Sequence, residues 1–317
     1  MNRFRILSID GGGIKGVFPA AFLSELEKSL KSPLHRYFDL IAGTSTGGMI
    51  ALALGLGLSA SRVLDFYKQH GPKIFANPKG RMRRFFAPKY SPDSLRKALA
   101  EVFGDAKLGD SRVRLMIPSF SADNGEIHIY KTRHHERFLT DFRELMTDVA
   151  LATTAAPTYF PAHRGAGGAM YIDGGLWANN PVGNAVVEAI TWLGRSAQDI
   201  DVLSIGCTQF PTSFADLDGQ KDWAFKFAEA ALRGQSGGSL GIAYSILGHE
   251  RVVRVNPAAP ENKFDLDKIG SISELERYGY IEGRKASSDL LPRFFFSEAE
   301  IFKPVPSAHE AASRIDH

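Results

Sequence analysis

The chain has 317 residues, of which 44% are hydrophobic and 23% are charged, a balance typical of a globular protein with a sizeable core. The net charge of only +3 gives no overall field for nucleic acid, so no nucleic-acid polymer is expected as a partner. The single cysteine, Cys207, excludes an internal disulfide framework and suits a reducing cytosol.

Taken in chain order, the predicted secondary structure alternates between apolar strands and helices. The predicted strands span residues 5–9, 37–42, 113–119, 127–131, 169–172 and 200–205, and the predicted helices span 15–31, 46–58, 148–156 and 181–193. This alternation favours an α/β fold with a mostly parallel sheet. From residue 209 onward the pattern is mainly helical, with a glycine-rich break at 234–241. We therefore expect a core at 1–210 and a helical C-terminal extension at 211–317, packed on the same domain.

One segment is long enough to be considered as a membrane span. Residues 40–61 carry no charge, and roughly 20 apolar residues suffice to cross a bilayer. The first half of the segment, however, contains the turn sequence Gly43-Thr44-Ser45-Thr46-Gly47-Gly48. A buried helix of the core is therefore expected instead, and the N-terminus lacks the pattern of a signal peptide.

The pattern G-x-S-x-G occurs at residues 43–47, between an apolar strand and an apolar helix. A nucleophile elbow requires this strand–turn–helix setting, and Gly43 and Gly47 are the small flanking residues that its tight turn needs. Ser45 would then lie at a helix N-terminus, where unsatisfied N–H groups favour a developing negative charge. The alternative is a serine that only caps a buried helix.

A serine nucleophile needs a base. None of the nine histidines lies in an obvious motif, and His134–His135 and His163 are more typical of surface or structural residues. Asp173 ends an apolar strand and precedes Gly174–Gly175. Its carboxylate is predicted to point into the crevice where α/β sheets place their chemistry, although a simple Asp-Gly turn is the alternative.

The glycine loop, Asp10-Gly-Gly-Gly-Ile-Lys-Gly16, connects the first strand to the first helix. Its glycines fit the dinucleotide pattern G-x-G-x-x-G, but the acidic residue that should close the second strand is out of place, because Asp39 comes early in it. The remaining interpretation is an oxyanion hole, in which the N–H groups of Gly12 and Gly13 point at a tetrahedral intermediate. Lys15 would hold the loop or meet a phosphate group.

These three motifs, at residues 10–16, 43–47 and 173–175, resemble the signature motifs of patatin-like phospholipases and occur in the same order. The stretches 154–160 and 176–181 fit as well, and the resemblance covers about residues 3–210. Lys15 stands where many members carry arginine, which changes little because the oxyanion donors are backbone groups.

The resemblance implies a three-layer α/β/α, patatin-like fold with a catalytic core at 1–210. It also implies a Ser45–Asp173 dyad that acts without histidine on acyl esters of lipids. No cofactor is expected, and no metal is indicated, because the sequence has no H-E-x-x-H motif and no paired Cys/His spacing. The residues that the resemblance assigns to the oxyanion hole are Gly11, Gly12 and Gly13. The residues that it assigns to motif support are Lys15, Gly16, Gly43, Gly47, Gly174 and Gly175.

The chain is also similar to bacterial patatin-like phospholipases that act as anti-phage effectors. That similarity implies membrane phospholipids as the substrate, a cyclic dinucleotide as activator, and a cytoplasmic enzyme acting at the inner membrane surface. The segment Lys79–Lys89 has five cations, two aromatic residues and no acids, and it suits an anionic membrane surface, a nucleotide phosphate or a solvated loop.

Two other functions stay open on the sequence alone. One is a Ser-His-Asp esterase acting on soluble esters, in which a histidine would be the base. The other is a non-catalytic module that binds a nucleotide or a lipid.

Overall fold

A computed structural model describes residues 3–76, 78, 87–209, 220–259 and 264–306. Among these residues, eight strands form one sheet. The strands are β1 (Phe4–Ile9), β2 (Leu40–Gly43), β3 (Arg114–Ser121), β4 (Glu126–Lys131), β5 (His163–Arg164), β6 (Met170–Asp173), β7 (Ile200–Ile205) and β8 (Val252–Val255). The basic segment Lys79–Lys89 falls outside the described residues except at its last three positions.

The centre of the sheet is parallel, as predicted. β1 pairs in parallel with β2 and β7, β2 with β3, and β7 with β8. The strands β4 and β6 run antiparallel to β3, and β5 runs antiparallel to β6. Since each parallel pair needs a crossover connection, helices cover the faces of this part of the sheet.

The helices lie on both sides of the sheet. They are α1 (Val17–Glu27), α2 (Thr46–Gly55), α3 (Ala60–Ile74), α4 (Asp93–Phe103), α5 (Met146–Thr154), α6 (Gly175–Ala178), α7 (Val182–Thr191), α8 (Gln220–Leu247) and α9 (Ile272–Phe294). Leu7 of β1 packs in a cluster with α1, α2 and α9, whereas Ile6 packs in a second cluster with α7 and α8. Successive side chains of a strand point to opposite faces, so this alternation builds a three-layer α/β/α structure.

The uncharged segment 40–61 forms strand β2 and helix α2, both buried in the core. Among the helices that the structure describes, none is long and apolar enough to span a bilayer.

Helix α9, in the C-terminal part of the chain, packs on helix α1 of the core. On α9, a Cβ at Gly279 or Gly283 would come within 3.0 Å of backbone atoms of α1, so the two helices cross at close range. The region predicted to be helical also contains β8, which extends the sheet next to β7. The boundary at residue 210 stays a prediction.

The predicted helix break at 234–241 is wrong, because α8 runs from Gln220 to Leu247 without interruption. Glycine lowers helix propensity by roughly 1 kcal/mol relative to alanine. Tertiary packing overrides that preference: Ala243 and Leu247 of α8 are buried in one hydrophobic cluster with Val182 of α7.

We expect alanine at Gly234, Gly238 or Gly241 to raise the free energy of unfolding by about 0.5–1 kcal/mol each. Among the described residues, a Cβ at any of these positions meets nothing within 4 Å outside its own stretch of helix, and alanine restricts the unfolded chain. Urea denaturation of the single variants measures the change. Gly279→Ala on α9 is the matched control and should destabilise, since its Cβ would lie 2.6 Å from Phe18 O. A loss of stability in the α8 variants would contradict the prediction.

Candidate active site

Two strands that approach each other head-on create the site. β2 runs parallel to β3 and pairs with it up to Ala42 opposite Met116, while β6 runs antiparallel and ends with Asp173 opposite Ser119. Since β4 occupies the other edge of β3 along this stretch, β2 and β6 share one edge. Their carboxyl ends therefore meet on either side of Pro118.

Ser45 lies in the sharp turn between β2 and α2. Its φ of 54° and ψ of −121° place it in a backbone conformation that residues other than glycine rarely adopt. The Ser45 N–H donates to Thr153 Oγ1 at 3.0 Å, and Thr153 in turn donates to Pro118 O at 2.6 Å. The turn is thus held to β3 through a threonine of α5, which presents the serine side chain at the N-terminus of α2.

The hydroxyl of Ser45 donates to Asp173 Oδ2 at 2.6 Å. The second carboxylate oxygen, Oδ1, accepts the N–H of Gly175 at 2.7 Å, which fixes the carboxylate plane. Asp173 is only 5% exposed, and burial raises its pKa to about 6, while the hydrogen bonds from Ser45 and Gly175 oppose the shift. The pair therefore has the geometry of a nucleophile and its base, with a base stronger than a solvated aspartate.

Histidine takes no part in this pair among the residues that the structure describes. His163 Nε2 lies 3.2 Å from Asp148 Oδ1, and His134 Nε2 lies 2.9 Å from Glu188 Oε1. Neither ring has a hydrogen bond to Ser45 or Asp173. Asp148 and Glu188 thus hold the two histidines away from the dyad, which favours a Ser-Asp dyad over a Ser-His-Asp triad.

The glycine loop lies directly against the serine. A Cβ at Gly11 would come within 3.3 Å of Ser45 Cβ. The N–H of Gly11 donates to Asn179 O at 2.9 Å and is therefore occupied. The N–H groups of Gly12 and Gly13 have no acceptor among the described residues. Of the three predicted donors, these two are the ones left for an oxyanion.

The other predicted glycines lie where the motifs approach each other most closely. A Cβ at Gly16 would come within 2.3 Å of Thr46 Oγ1, and a Cβ at Gly43 would come as close to Gly47 O. A Cβ at Gly47 would come within 2.3 Å of Ile9 O, and a Cβ at Gly174 would come as close to Pro118 O. At Gly175 it would lie 3.0 Å from Asp173 Oδ1. These contacts explain why the loop, the serine turn and the end of β6 fit together only without side chains.

The sequence reading missed Arg254, which anchors the glycine loop. This arginine of β8 donates from Nη1 to Asp10 Oδ1 at 2.8 Å and from Nη2 to Asp10 Oδ2 at 2.5 Å. Both side chains are largely buried, and Nη1 also donates to Ser204 Oγ of β7. The signal in the sequence is a single cation within the apolar run Val252–Val255, which lies beyond the last strand that was predicted.

The comparisons with known proteins point to one family. The protein-family model described as "Patatin-like phospholipase" matches residues 7–186. A protein of Pseudomonas aeruginosa named cGAMP-activated phospholipase is 32% identical over 302 residues, covering 91% of this chain and 90% of that protein.

Two further relatives carry the same name. The Vibrio cholerae protein is 34% identical over 230 residues, covering 65% of this chain and 64% of its own length. The Escherichia coli protein is 35% identical over 220 residues, covering 64% of this chain and 62% of its own length. Since the family model spans more than half of the chain and the first relative nearly all of it, the chain belongs to the patatin-like phospholipase family and is a lipid-hydrolysing enzyme.

Proposed function

We propose that this chain is a serine acyl hydrolase of the phospholipase A type, which cuts a carboxylic ester of membrane glycerophospholipids. The observation that carries the proposal is the 2.6 Å hydrogen bond from Ser45 Oγ to the buried carboxylate of Asp173. The bond joins the turn after β2 to the end of β6, beside a loop in which the amides of Gly12 and Gly13 have no acceptor among the described residues.

In the first half of the reaction, Ser45 Oγ attacks the acyl carbonyl carbon and Asp173 takes the serine proton. The carbonyl oxygen becomes an oxyanion, which the N–H groups of Gly12 and Gly13 and the N-terminus of α2 stabilise. The intermediate then expels the lysophospholipid alcohol, which takes the proton back from Asp173, and an acyl ester remains on Ser45.

In the second half, Asp173 takes a proton from water as the water attacks the acyl carbon. The same two amides hold the second oxyanion. Collapse of this intermediate returns the proton to Ser45 Oγ and releases a fatty acid. Asp173 thus alternates between base and acid, a role for which a pKa near 6 is suited.

We also propose that a cyclic dinucleotide of the cGAMP type raises the activity and that the enzyme acts at the inner surface of the cytoplasmic membrane, in defence against phage. The support for the activator is the name shared by the three bacterial relatives, one of which aligns over nearly the whole chain. The place of action and the role in defence are proposed from the similarity to bacterial anti-phage effectors.

The test is a product analysis on vesicles of phosphatidylethanolamine and phosphatidylglycerol, with and without cGAMP. The expected products are fatty acid and lysophospholipid in equal amounts, with release rising on addition of cGAMP and absent in Ser45→Ala. Diacylglycerol or phosphatidic acid as the product would overturn the phospholipase A proposal. Equal release with and without cGAMP would overturn the regulatory part alone.

The pH dependence of kcat/KM provides a separate prediction. Only ionised Asp173 can accept the serine proton, and its pKa is about 6. We therefore expect kcat/KM on a neutral soluble ester to be constant above about pH 7 and to fall roughly tenfold per unit below pH 6. Circular dichroism at each pH separates this loss from acid unfolding. A profile that stays flat down to about pH 4.5 would exclude a base with this pKa.

A further inference from the structure

A cleft of about 790 Å³ opens beside the glycine loop. Gly11 and Gly12 form one end of it, the residues following β7 and β8 form its floor, and α8 forms a long wall. Pockets for small ligands typically measure about 300–1,000 Å³. Because a Cβ at Gly11 would lie 3.3 Å from Ser45 Cβ, this end of the cleft adjoins the serine turn.

The α8 wall carries two cations that share one acid. Lys226, Glu229 and Arg233 line the cleft, and their spacing of three and four residues puts them on one helix face. Lys226 Nζ lies 3.0 Å from Glu229 Oε2, and Arg233 Nη2 lies 2.9 Å from Glu229 Oε1. The trio has one positive charge in excess, and Arg233 is the fork-shaped cation that suits phosphate oxygens.

The loop wall adds a further cation. Lys15 lines the cleft three residues after Gly12. Burial lowers the pKa of Lys15, while Asp265, which also lines the cleft, acts in the opposite direction, and a bound anion would stabilise the charged form further. Arg254 also lines the cleft, but both of its terminal nitrogens are bonded to Asp10.

We propose that this cleft binds a phosphodiester anion, between Lys15 on the glycine loop and Arg233 with Lys226 on α8. The proposal rests on the proposed phospholipase function. Two sources supply such an anion, the headgroup of the substrate and a cyclic dinucleotide. The position of the cleft favours the headgroup, because a ligand against Gly12 occupies the space beside the predicted oxyanion hole and would compete with substrate. The cyclic dinucleotide is then assigned to another surface.

Substitutions at Glu229 and at Arg233 are expected to change the affinity for the anion in opposite directions, which makes the proposal testable. A bound phosphodiester competes with Glu229 for Arg233 and Lys226. Removing the acid should therefore strengthen anion binding, whereas removing the arginine should weaken it. A trio that only stabilises α8 would respond alike to the two changes, since each breaks the same ion pair.

The experiment measures binding rather than turnover, so it stands even if the hydrolysis assay fails. Glycerophosphoglycerol, the deacylated headgroup, is titrated calorimetrically into Ser45→Ala and into the same protein with Arg233→Gln or Glu229→Gln. We expect about a tenfold loss of affinity with Arg233→Gln and a several-fold gain with Glu229→Gln. Lys285→Gln and Glu282→Gln are the controls, because Glu282 and Lys285 form an ion pair three residues apart on α9, outside the cleft, with their charged atoms 2.8 Å apart.

A parallel titration with cGAMP distinguishes the two sources. If Arg233→Gln weakens the binding of glycerophosphoglycerol alone, the headgroup assignment is supported. If it weakens the binding of both ligands and cGAMP competes with glycerophosphoglycerol, the assignment of the nucleotide to another surface is overturned. Weakening of cGAMP binding alone would assign the cleft to the nucleotide and overturn the headgroup proposal. If Arg233→Gln and Glu229→Gln change the affinity for glycerophosphoglycerol in the same direction, or if neither changes it, the proposed phosphodiester site is overturned. Failure of the phospholipase function would appear separately, as the absence of fatty acid release from wild-type protein.

Discussion

Ser45→Ala and Asp173→Asn are each expected to lower kcat/KM for ester hydrolysis by at least about 10³-fold. The first change removes the attacking oxygen, and the second leaves an amide that cannot take up the serine proton. Because the two side chains act as one unit, the double variant should lose little more than either single variant. Initial rates on a soluble ester and on phospholipid vesicles measure both effects.

The same variants are expected to keep their fold, which separates a catalytic role from a structural one. Burial raises the pKa of Asp173 from 3.8 to about 6. A carboxyl group whose pKa is higher in the folded state than in the unfolded state stabilises the fold at low pH. This stabilisation is lost as the pH rises through the pKa of the folded state. At pH 8 the ionised group thus costs up to about 3 kcal/mol, so Asp173→Asn should be no less stable than wild type there.

His163→Gln serves as the control for a histidine base. His163 is held by Asp148 and has no hydrogen bond to the dyad, so this variant should keep most of its activity. The dyad would be excluded by near-normal rates in Asp173→Asn, or by a loss in His163→Gln that equals the loss in Asp173→Asn.

Local patterns in the sequence predicted the individual parts of the site, because each part depends on its own few residues. A strand, a serine between glycines and an apolar helix specify the turn at Ser45. An aspartate before two glycines marks the end of β6. That the two meet across 128 positions followed only from the combination of motifs. Their meeting also has a different cause from the one expected, because β6 runs antiparallel to β3 and approaches β2 head-on.

Other features depend on contacts that no local pattern encodes. The backbone of Asn179 accepts the amide of Gly11, so this amide is not available to the proposed oxyanion hole, which a list of glycines does not reveal. Continuous helix α8 contradicts the propensity of its glycines, because α7 packs against it. Strand β8 has only four residues, and its arginine faces a buried acid that lies 244 positions away in the chain.

Arg254→Met is expected to lower the free energy of unfolding by about 3–5 kcal/mol, the cost of leaving a buried charge unpaired. Asp10 is 4% exposed, and burial raises its pKa while Arg254 acts in the opposite direction. Without the guanidinium the pKa of Asp10 rises further. Since a raised folded-state pKa costs stability as pH increases, the deficit should be larger at pH 8 than at pH 5. Urea denaturation at both pH values measures it.

The double variant Asp10→Asn, Arg254→Met should recover much of this loss, because it removes both charges at once. Arg36→Met is the control for an exposed pair: Arg36 contacts Glu298 at the surface, and its removal should cost less than about 1 kcal/mol. The anchoring role of Arg254 would be excluded if its removal cost no more than that of Arg36, or if the two changes at Asp10 and Arg254 were simply additive. Asparagine and methionine fill the space but form no ion pair that fixes the glycine loop. A double variant that regains stability without regaining hydrolysis would therefore indicate that the ion pair also positions the amides of Gly12 and Gly13.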